Sequence, residues 1–268
     1  MGLFSKKICA ICGEKAGLLS RLKLENDDFV CGNCQKKLSP FFDHKDKVHT
    51  EKEIRDHIAW RESTRKEVAI FQADDSVQLD GKDLLLINHD EGKFVLIESG
   101  TKKEDADVFS LDEVVDAMLT VEENKKEIKK EINGEKKPYH PPHYSYKYHF
   151  LLSVRLNNPY IKEIEFRLHQ LAIDGGDDAD GYKAPSILEK ATGFYVWREK
   201  QLDGNDFLHR SNFALSSSPG GYGPKGSTTM TDFNIEQFDK MVNAGSKVVE
   251  LLTGQQKEPA FKSTKDWL

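Results

Sequence analysis

All four cysteines of the chain lie in two closely spaced pairs near the N-terminus. The pairs are Cys9 with Cys12 and Cys31 with Cys34, so the pattern is C-x2-C-x18-C-x2-C. Each spacing places two sulfurs on one tight turn, and two such turns supply the four thiolates of a tetrahedral Zn2+ site. The sequence therefore predicts one bound zinc ion. Because four thiolates fill the coordination shell, we expect this zinc to be structural rather than catalytic.

Disulfides and redox-active thiols are the alternative interpretations of the two pairs. A disulfide framework is typical of exported proteins, and the first residues, MGLFSKK, lack the long apolar run of a secretory signal. A redox C-x-x-C motif usually lies in a larger βαβ unit, and no such pattern surrounds these cysteines. We therefore favour zinc, and we expect a cytoplasmic protein.

The residues around the cysteines predict the elements that position them. Gly13 follows the first pair, where free backbone angles suit a zinc knuckle. The run LLSRLKLENDDFVC has two apolar stretches around the turn signal ENDD, which predicts a hairpin. After the second pair, QKKLSPFF begins a short helix that Pro40 ends. This order resembles a treble-clef or zinc-ribbon finger, which we assign to residues 1–45.

A helix over residues 50–72 is predicted to link the finger to the rest of the chain. Thr50 and Glu53 have the spacing of a capping box, in which each side chain accepts a hydrogen bond from the other's backbone N–H. From about residue 76 the apolar period changes to two, and turn signals such as NG at 133–134 separate the runs. This pattern predicts an antiparallel meander of five to seven strands.

The last strong element is an amphipathic helix near the C-terminus. It ends at Gly254, which is a predicted C-cap. Its apolar stripe consists of Ile235, Phe238, Val242, Val249 and Leu252. Loop-type compositions bound residues 174–230, which we predict to be an insertion before this helix. The β domain is therefore assigned to residues 76–254, and residues 255–268 to a C-terminal tail.

The composition is that of a globular protein with an acidic balance. The 268 residues include 45 acids and 39 bases, which gives a formal net charge of -6. No uncharged apolar run approaches the roughly 18 residues of a membrane span, so we expect no transmembrane segment. Residues 1–42 contain seven Lys/Arg and four Asp/Glu. Zinc with four thiolates adds -2, which leaves the finger near +1, a weak basis for binding phosphates.

Other candidate sites have simpler explanations. The run DGGDDADG lacks two ligands of an EF-hand loop, so we interpret it as an acidic surface loop. His140 and His143 lack further ligands for a metal, and the alternating tyrosines after them indicate packing on a neighbouring strand. Stacking of bases or binding of a peptide is the alternative role for those tyrosines. Nucleophile elbows and phosphate-binding loops do not occur, so we predict no catalytic residues and no enzyme.

Two stretches resemble an uncharacterised group of bacterial proteins that are described only by a domain of unknown function. They are MGLFSKKICAICGEKAGLLSRLKLENDDFVCGNCQKKLSPFF and YSYKYHFLLSVRLNNPYIKEIEFRL. The meander followed by one amphipathic helix is similar to a pleckstrin-homology-like (PH-like) domain, a curved sheet closed by a C-terminal helix. The resemblance implies an α+β fold with a zinc finger and an antiparallel PH-like barrel or sheet, and it implies no catalytic residues.

These features together predict a zinc-binding interaction or adaptor protein without enzymatic activity. We expect it to bind a protein or peptide partner, with an exposed sheet edge as one candidate surface. The alternative is a regulatory module that binds nucleic acid or an anionic membrane surface. Its cations would come from the finger or from the run NKKEIKKEINGEKK, which has six lysines and three glutamates.

Overall fold

The computed structural model of the chain describes residues 7–42, 48–98, 100–177 and 232–265. Over these residues the fold is a mixture of helices and mainly antiparallel sheets, as the sequence predicts. The predicted insertion, residues 174–230, lies outside the described residues from position 178 onwards, and so does the second half of the run DGGDDADG. No helix in the described ranges is long and apolar enough to cross a membrane.

Two small antiparallel hairpins and one short helix carry the cysteines. The hairpins are β1 (Lys7–Ile8) with β2 (Lys15–Ala16), and β3 (Leu22–Lys23) with β4 (Phe29–Val30). The second hairpin is the one predicted around ENDD, and Asp27 in its turn has a φ of 63°. Helix α1 (Gly32–Gln35) follows β4 after Cys31. The chain thus turns sharply at both cysteine pairs.

Helix α2 (Glu51–Ile70) begins with the capping box that the sequence predicts. The Thr50 side chain accepts a hydrogen bond from the Glu53 backbone, and the Thr50 N–H donates to the Glu53 carboxylate at 2.8 Å. These bonds satisfy backbone donors that the first turn of a helix leaves free. The buried face of the helix is half polar and consists of Ile54, His57, Ile58, Arg61, Thr64 and Val68.

A four-stranded antiparallel meander follows α2. Its strands, in spatial order, are β5 (Asp75–Leu79), β6 (Lys82–Asn88), β7 (Lys93–Leu96) and β8 (Val108–Ser110). Asp80 and Gly81 both have positive φ, which is the backbone of a two-residue hairpin turn. Val68 of α2 packs in one apolar cluster with Leu86, Val95 and Val108, so the helix covers this sheet.

The second sheet has five strands, two of which are long. They are β9 (Val114–Ile132), β10 (Glu135–Leu156), β11 (Glu163–Arg167), β12 (Ile173–Asp177) and β13 (Ala260–Lys265). The spatial order is β11-β10-β9-β13, and β12 also pairs with β10. Asn133 and Gly134 form the predicted turn between β9 and β10, with φ values of 54° and 79°. Strand β13 runs parallel to β9, within the segment that the sequence predicts to be a tail.

Helix α3 (Asp232–Thr253) is the predicted C-terminal helix. The stripe residues Phe238, Val242, Val249 and Leu252 are buried, and Gly254 ends the helix with a φ of 67°. The Phe238 ring contacts Tyr148 and Phe150 of β10, with ring centroids 5.2 and 5.0 Å apart. The aromatic face of β10 therefore packs against α3.

The chain divides into two compact units. The first consists of Met1–Ala117, Ser153–Phe166 and Leu251–Gly254, and the second of Met118–Leu152, Arg167–Glu250 and Gln255–Leu268. The cysteine region, α2 and the four-stranded sheet all belong to the first unit. The second unit contains most of α3 and the turn that joins β9 to β10.

Candidate metal centre

The first cysteine pair lies in a tight turn between β1 and β2. Cys9 pairs with Phe29 in an isolated β-bridge, and its carbonyl accepts a hydrogen bond from the Gly13 N–H at 2.9 Å. Gly13 has a φ of 75°, a conformation that suits a residue without a Cβ atom. The turn therefore requires the glycine that follows the pair, as the sequence predicts.

The second pair lies where strand β4 ends and helix α1 begins. Cys31 is the N-cap residue of α1, and Cys34 is a buried residue within the helix. The Cys31 N–H donates a hydrogen bond to the Cys9 sulfur at 3.2 Å, which ties the second pair to the first. The hairpin between the pairs thus returns the chain to the first turn.

The four sulfurs have the separations of a tetrahedral metal site. All four lie within 4.8 Å of one another, and the Cys12 and Cys31 sulfurs are 3.6 Å apart. A tetrahedron with Zn–S bonds of about 2.3 Å places its sulfurs about 3.8 Å apart. None of the four cysteines, which all lie in the described range 7–42, forms a disulfide. The cluster can therefore hold a metal ion, and its geometry and soft ligands are consistent with zinc.

The pKa values of the Cys9 and Cys34 thiols are shifted in opposite directions. Burial opposes ionisation of Cys9, but backbone N–H groups, that of Cys31 first among them, lower its pKa to about 6. Burial and the neighbouring sulfurs raise the pKa of Cys34. Thiolates in such close contact repel one another, and a cation among them removes that repulsion. The cluster is therefore suited to a divalent ion.

Arg55 of helix α2 supports the first cysteine turn from outside the finger. Its guanidinium donates hydrogen bonds to the carbonyls of Ala10 and Ile11, the two residues between Cys9 and Cys12. Arg55 also pairs with Glu51 one turn earlier in the helix, at 2.7 Å. Sequence reasoning missed this residue because it lies far along the chain from the turn, and a surface arginine carries no local signal of such a contact.

Residues 7–57 match the model of a protein family described as a domain of unknown function (DUF4428). This DUF4428 segment contains both cysteine pairs and continues into α2 beyond Arg55. The match confirms the resemblance of the N-terminal stretch to proteins with a domain of unknown function. No similar protein was found among the curated proteins, and no similar structure among the solved structures. A PH-like domain and a bacterial origin remain predictions.

The end of the DUF4428 segment contributes to a buried polar cluster within the first unit. The Asp107 carboxylate accepts hydrogen bonds from the Ser39 hydroxyl at 2.6 Å and from Arg61 Nε at 3.0 Å. The Ser39 N–H donates to His57 Nε2 at 3.0 Å, and the Arg61 guanidinium also donates to the Leu38 carbonyl. The four polar side chains of this cluster, those of Ser39, His57, Arg61 and Asp107, are nearly inaccessible to solvent. The cluster therefore joins several elements of the first unit by buried hydrogen bonds.

The other candidate residues do not assemble into a second metal site. Among the described residues, three or more metal-ligating side chains come together at the four cysteines and at no other place. His140 is exposed, and the His143 ring packs on Tyr139 at 4.8 Å. Tyr146 and Tyr148 are buried, as packing against a neighbouring element requires. These positions therefore fit the simpler explanations given by their sequence.

The loop between β2 and β3 carries an exposed apolar pair close to the metal centre. Leu19 is fully exposed and Leu18 is 59% exposed. The Gln35 side chain donates a hydrogen bond to the Ser20 carbonyl at 2.7 Å and so fixes the loop to helix α1. We call residues 17–21 the finger tip. These two adjacent leucines form a small apolar patch on a tethered loop, which is one candidate contact surface.

Proposed function

We propose that residues 7–42 form a treble-clef finger in which Cys9, Cys12, Cys31 and Cys34 hold one structural Zn2+. A turn with two cysteines, a hairpin, and a second pair at the start of a helix support this assignment. Bound zinc supplies a crosslink between the two turns that the small hairpins cannot replace by burial of apolar surface. Because the four sulfurs leave no open coordination position, the ion has no catalytic role.

We also propose that the elements after α2 form a PH-like domain. The order of elements supports it: a four-stranded meander is followed by a second set of antiparallel strands, and one amphipathic helix then ends that set. Strand β13, which follows the helix, is an addition to this arrangement. The similarity to a PH-like domain lies in the order of strands and helix along the chain. It implies no catalytic residues.

The function that best fits these features is a non-enzymatic interaction or adaptor protein of the cytoplasm that binds a protein or peptide. The single observation that carries this proposal is the finger tip, with Leu18 and Leu19 exposed on a loop that a hydrogen bond fixes in place. The nearby side chains of Lys15 and Arg21 are basic. A partner with an apolar segment and acidic flanks would complement this surface.

A capture experiment with the full chain as bait tests the proposal. Wild-type protein is expected to contain one zinc per chain and to retain a partner, whereas the double variant Leu18→Ser and Leu19→Ser keeps its zinc and loses the partner. The variant Cys9→Ser is expected to lose both, because three thiolates hold zinc less tightly.

A matched control replaces two exposed apolar residues elsewhere, Ile70→Ser and Leu171→Ser, which are 79% and 73% exposed in the wild type. This control is expected to retain zinc and partner. The adaptor proposal is rejected if wild type retains no partner, or if both double variants lose it equally. A wild-type chain that contains no zinc rejects the assignment of the metal.

A second candidate function is a regulatory module that binds nucleic acid or an anionic membrane surface. One specific observation favours it, namely that the lysine-rich run after residue 124 forms the end of the long β9–β10 hairpin. Salt-dependent binding to DNA, RNA or anionic vesicles would separate this candidate from the first.

A further inference from the structure

The β9–β10 hairpin extends beyond the described parts of the strands that flank it. Strand β13 pairs with β9 only as far as Lys125, and β12 pairs with β10 only from Ser145 onwards. In the part of the chain that the structure describes, no third strand pairs with residues 126–142, which form a two-stranded ribbon. We call this ribbon the β9–β10 arm. The seven residues from Lys126 to Ile132 extend over about 20 Å along the strand.

The arm is locally basic in an acidic chain. It contains five lysines and three glutamates, whereas the whole chain has a net charge of -6. Lys137 pairs with Glu135 at 3.0 Å. The other four lysines of the arm have no ion pair with a described carboxylate, and they are Lys126, Lys129, Lys130 and Lys136. Within the described residues, no carboxylate therefore neutralises their charges.

The unpaired lysines lie on both faces of the arm. Successive side chains of a strand point to opposite faces, so Lys126 and Lys130 share one face and Lys129 occupies the other. The two-residue turn at Asn133–Gly134 places Lys136 opposite Glu131, which is on the face of Lys129. Lys130 also stands over the Tyr139 ring at 5.4 Å, which holds its ammonium group close to the ribbon.

We propose that the β9–β10 arm binds double-stranded DNA by entering the major groove, where its lysines contact the phosphates on both sides. The major groove of B-form DNA is about 12 Å wide and admits a two-stranded β-ribbon. A flat membrane surface engages one face of a ribbon, whereas a groove engages both, and the lysines are divided between the faces. The deep and narrow major groove of double-stranded RNA excludes the ribbon. The proposal rests on the second candidate function and specifies its ligand and its binding element.

Fluorescence anisotropy with the full chain and a labelled DNA duplex of about 30 base pairs tests the proposal at about 50 mM salt. We expect binding that weakens with salt, with a slope of log K against log salt of about -3.6, from about -0.9 for each of four lysines. The fourfold variant Lys126→Gln, Lys129→Gln, Lys130→Gln and Lys136→Gln is expected to bind at least about tenfold more weakly and with a shallower slope.

The matched control removes four exposed lysines elsewhere and is Lys66→Gln, Lys82→Gln, Lys102→Gln and Lys162→Gln. It changes the net charge by the same amount and is expected to bind DNA as wild type does. The double finger-tip variant, Leu18→Ser and Leu19→Ser, is also expected to bind DNA normally. The test of DNA binding is therefore independent of the test of the adaptor proposal. No binding by wild type, or equal losses in both fourfold variants, would overturn the proposal. Stronger arm-dependent binding to phosphatidylserine vesicles than to DNA would also overturn it.

Discussion

At the scale of single residues, His57 occupies an environment that disfavours its charged form. It is fully buried, and its Nε2 accepts a hydrogen bond from the Ser39 backbone. Burial, followed by the nearby charges of Arg61 and His49, lowers the pKa of His57 from 6.5 to about 4. The neutral imidazole is therefore the form that fits the folded chain, because only this form leaves Nε2 free to accept.

Acidification is expected to destabilise the first unit through His57. Because the folded state holds the pKa of His57 below its unfolded value, the folded chain binds fewer protons than the unfolded chain between pH 6.5 and 4. Its stabilising contribution is present above pH 6.5 and is lost as the pH falls through that window. The full loss amounts to about 3 kcal/mol. Urea titrations at several pH values between 8 and about 4 measure it.

The variant His57→Gln separates this effect from protonation of the cysteines, which all variants share. The glutamine amide keeps an acceptor for the Ser39 N–H and has no charge to gain, so the free energy of unfolding should fall less between pH 6.5 and 4. His140→Gln, at an exposed position, serves as the control and should keep the wild-type slope. Equal slopes for wild type and His57→Gln would show that His57 does not cause the loss.

At the scale of elements, the packing of β12 on β10 depends on the absence of a side chain at Gly175. A Cβ atom at this position would overlap the ring of Tyr148 and would lie 3.1 Å from the Tyr146 Cβ. Tyr148 is fully buried, and its ring is held edge-on against Phe238 at 5.2 Å. The ring therefore cannot move aside, so Gly175→Ala should lower the free energy of unfolding by about 1–3 kcal/mol.

Gly245 of helix α3 provides the comparison for Gly175. An added Cβ atom there would lie 2.7 Å from a methyl group of Leu119 and 3.0 Å from one of Leu168. Leucine methyl groups move more readily than a buried ring, and alanine gains about 1 kcal/mol of helix propensity over glycine. Gly245→Ala should therefore cost less than Gly175→Ala in the same urea titration. The reverse order would mean that β12 can shift away from the Tyr148 ring.

The sequence predicts elements whose signals are local and misses those that depend on distant contacts. The capping box at Thr50 and Glu53, the C-cap Gly254 and the turn at Asn133–Gly134 are confirmed because each signal lies within a few residues. Strand β13 is missed because its partner is β9, far away in sequence, and AFKSTK has only weak alternation. The helix α3 is predicted, but its ring contact with Tyr148 is not, because no local pattern shows which residues of the helix and of β10 meet.

The candidate metal centre follows the same rule. The spacing of the cysteines identifies the residues that the structure brings together, because each pair occupies one turn of a few residues. Arg55 escapes prediction although it binds both carbonyls between Cys9 and Cys12. Its role depends on the angle at which α2 leaves the finger, and that angle is determined by tertiary packing.

At the scale of the whole molecule, the cysteine region is part of the first unit and is not a separate module joined by a free linker. Arg55 binds the first cysteine turn, and the Arg61 guanidinium binds the Leu38 carbonyl just after the second pair. The Ser39 hydroxyl reaches Asp107, which precedes strand β8. Hydrogen bonds therefore connect residues 7–42 with α2 and with the segment that leads into the four-stranded sheet.

Removal of the metal is consequently expected to destabilise more than the finger itself. Amide hydrogen exchange of the full chain with and without a zinc chelator measures this region by region. Residues 7–42 should lose nearly all protection, because a structural zinc supplies most of the folding free energy of so small a module. The first turns of α2, which lose the hydrogen bonds of Arg55, should exchange about tenfold faster or more. Amides of α3 beside Phe238 serve as the internal control and should keep their protection.

An effect confined to residues 7–42 would show that the hydrogen bonds of Arg55 and Arg61 do not couple the finger to its unit. An equal effect on α3 would show that the two units unfold together.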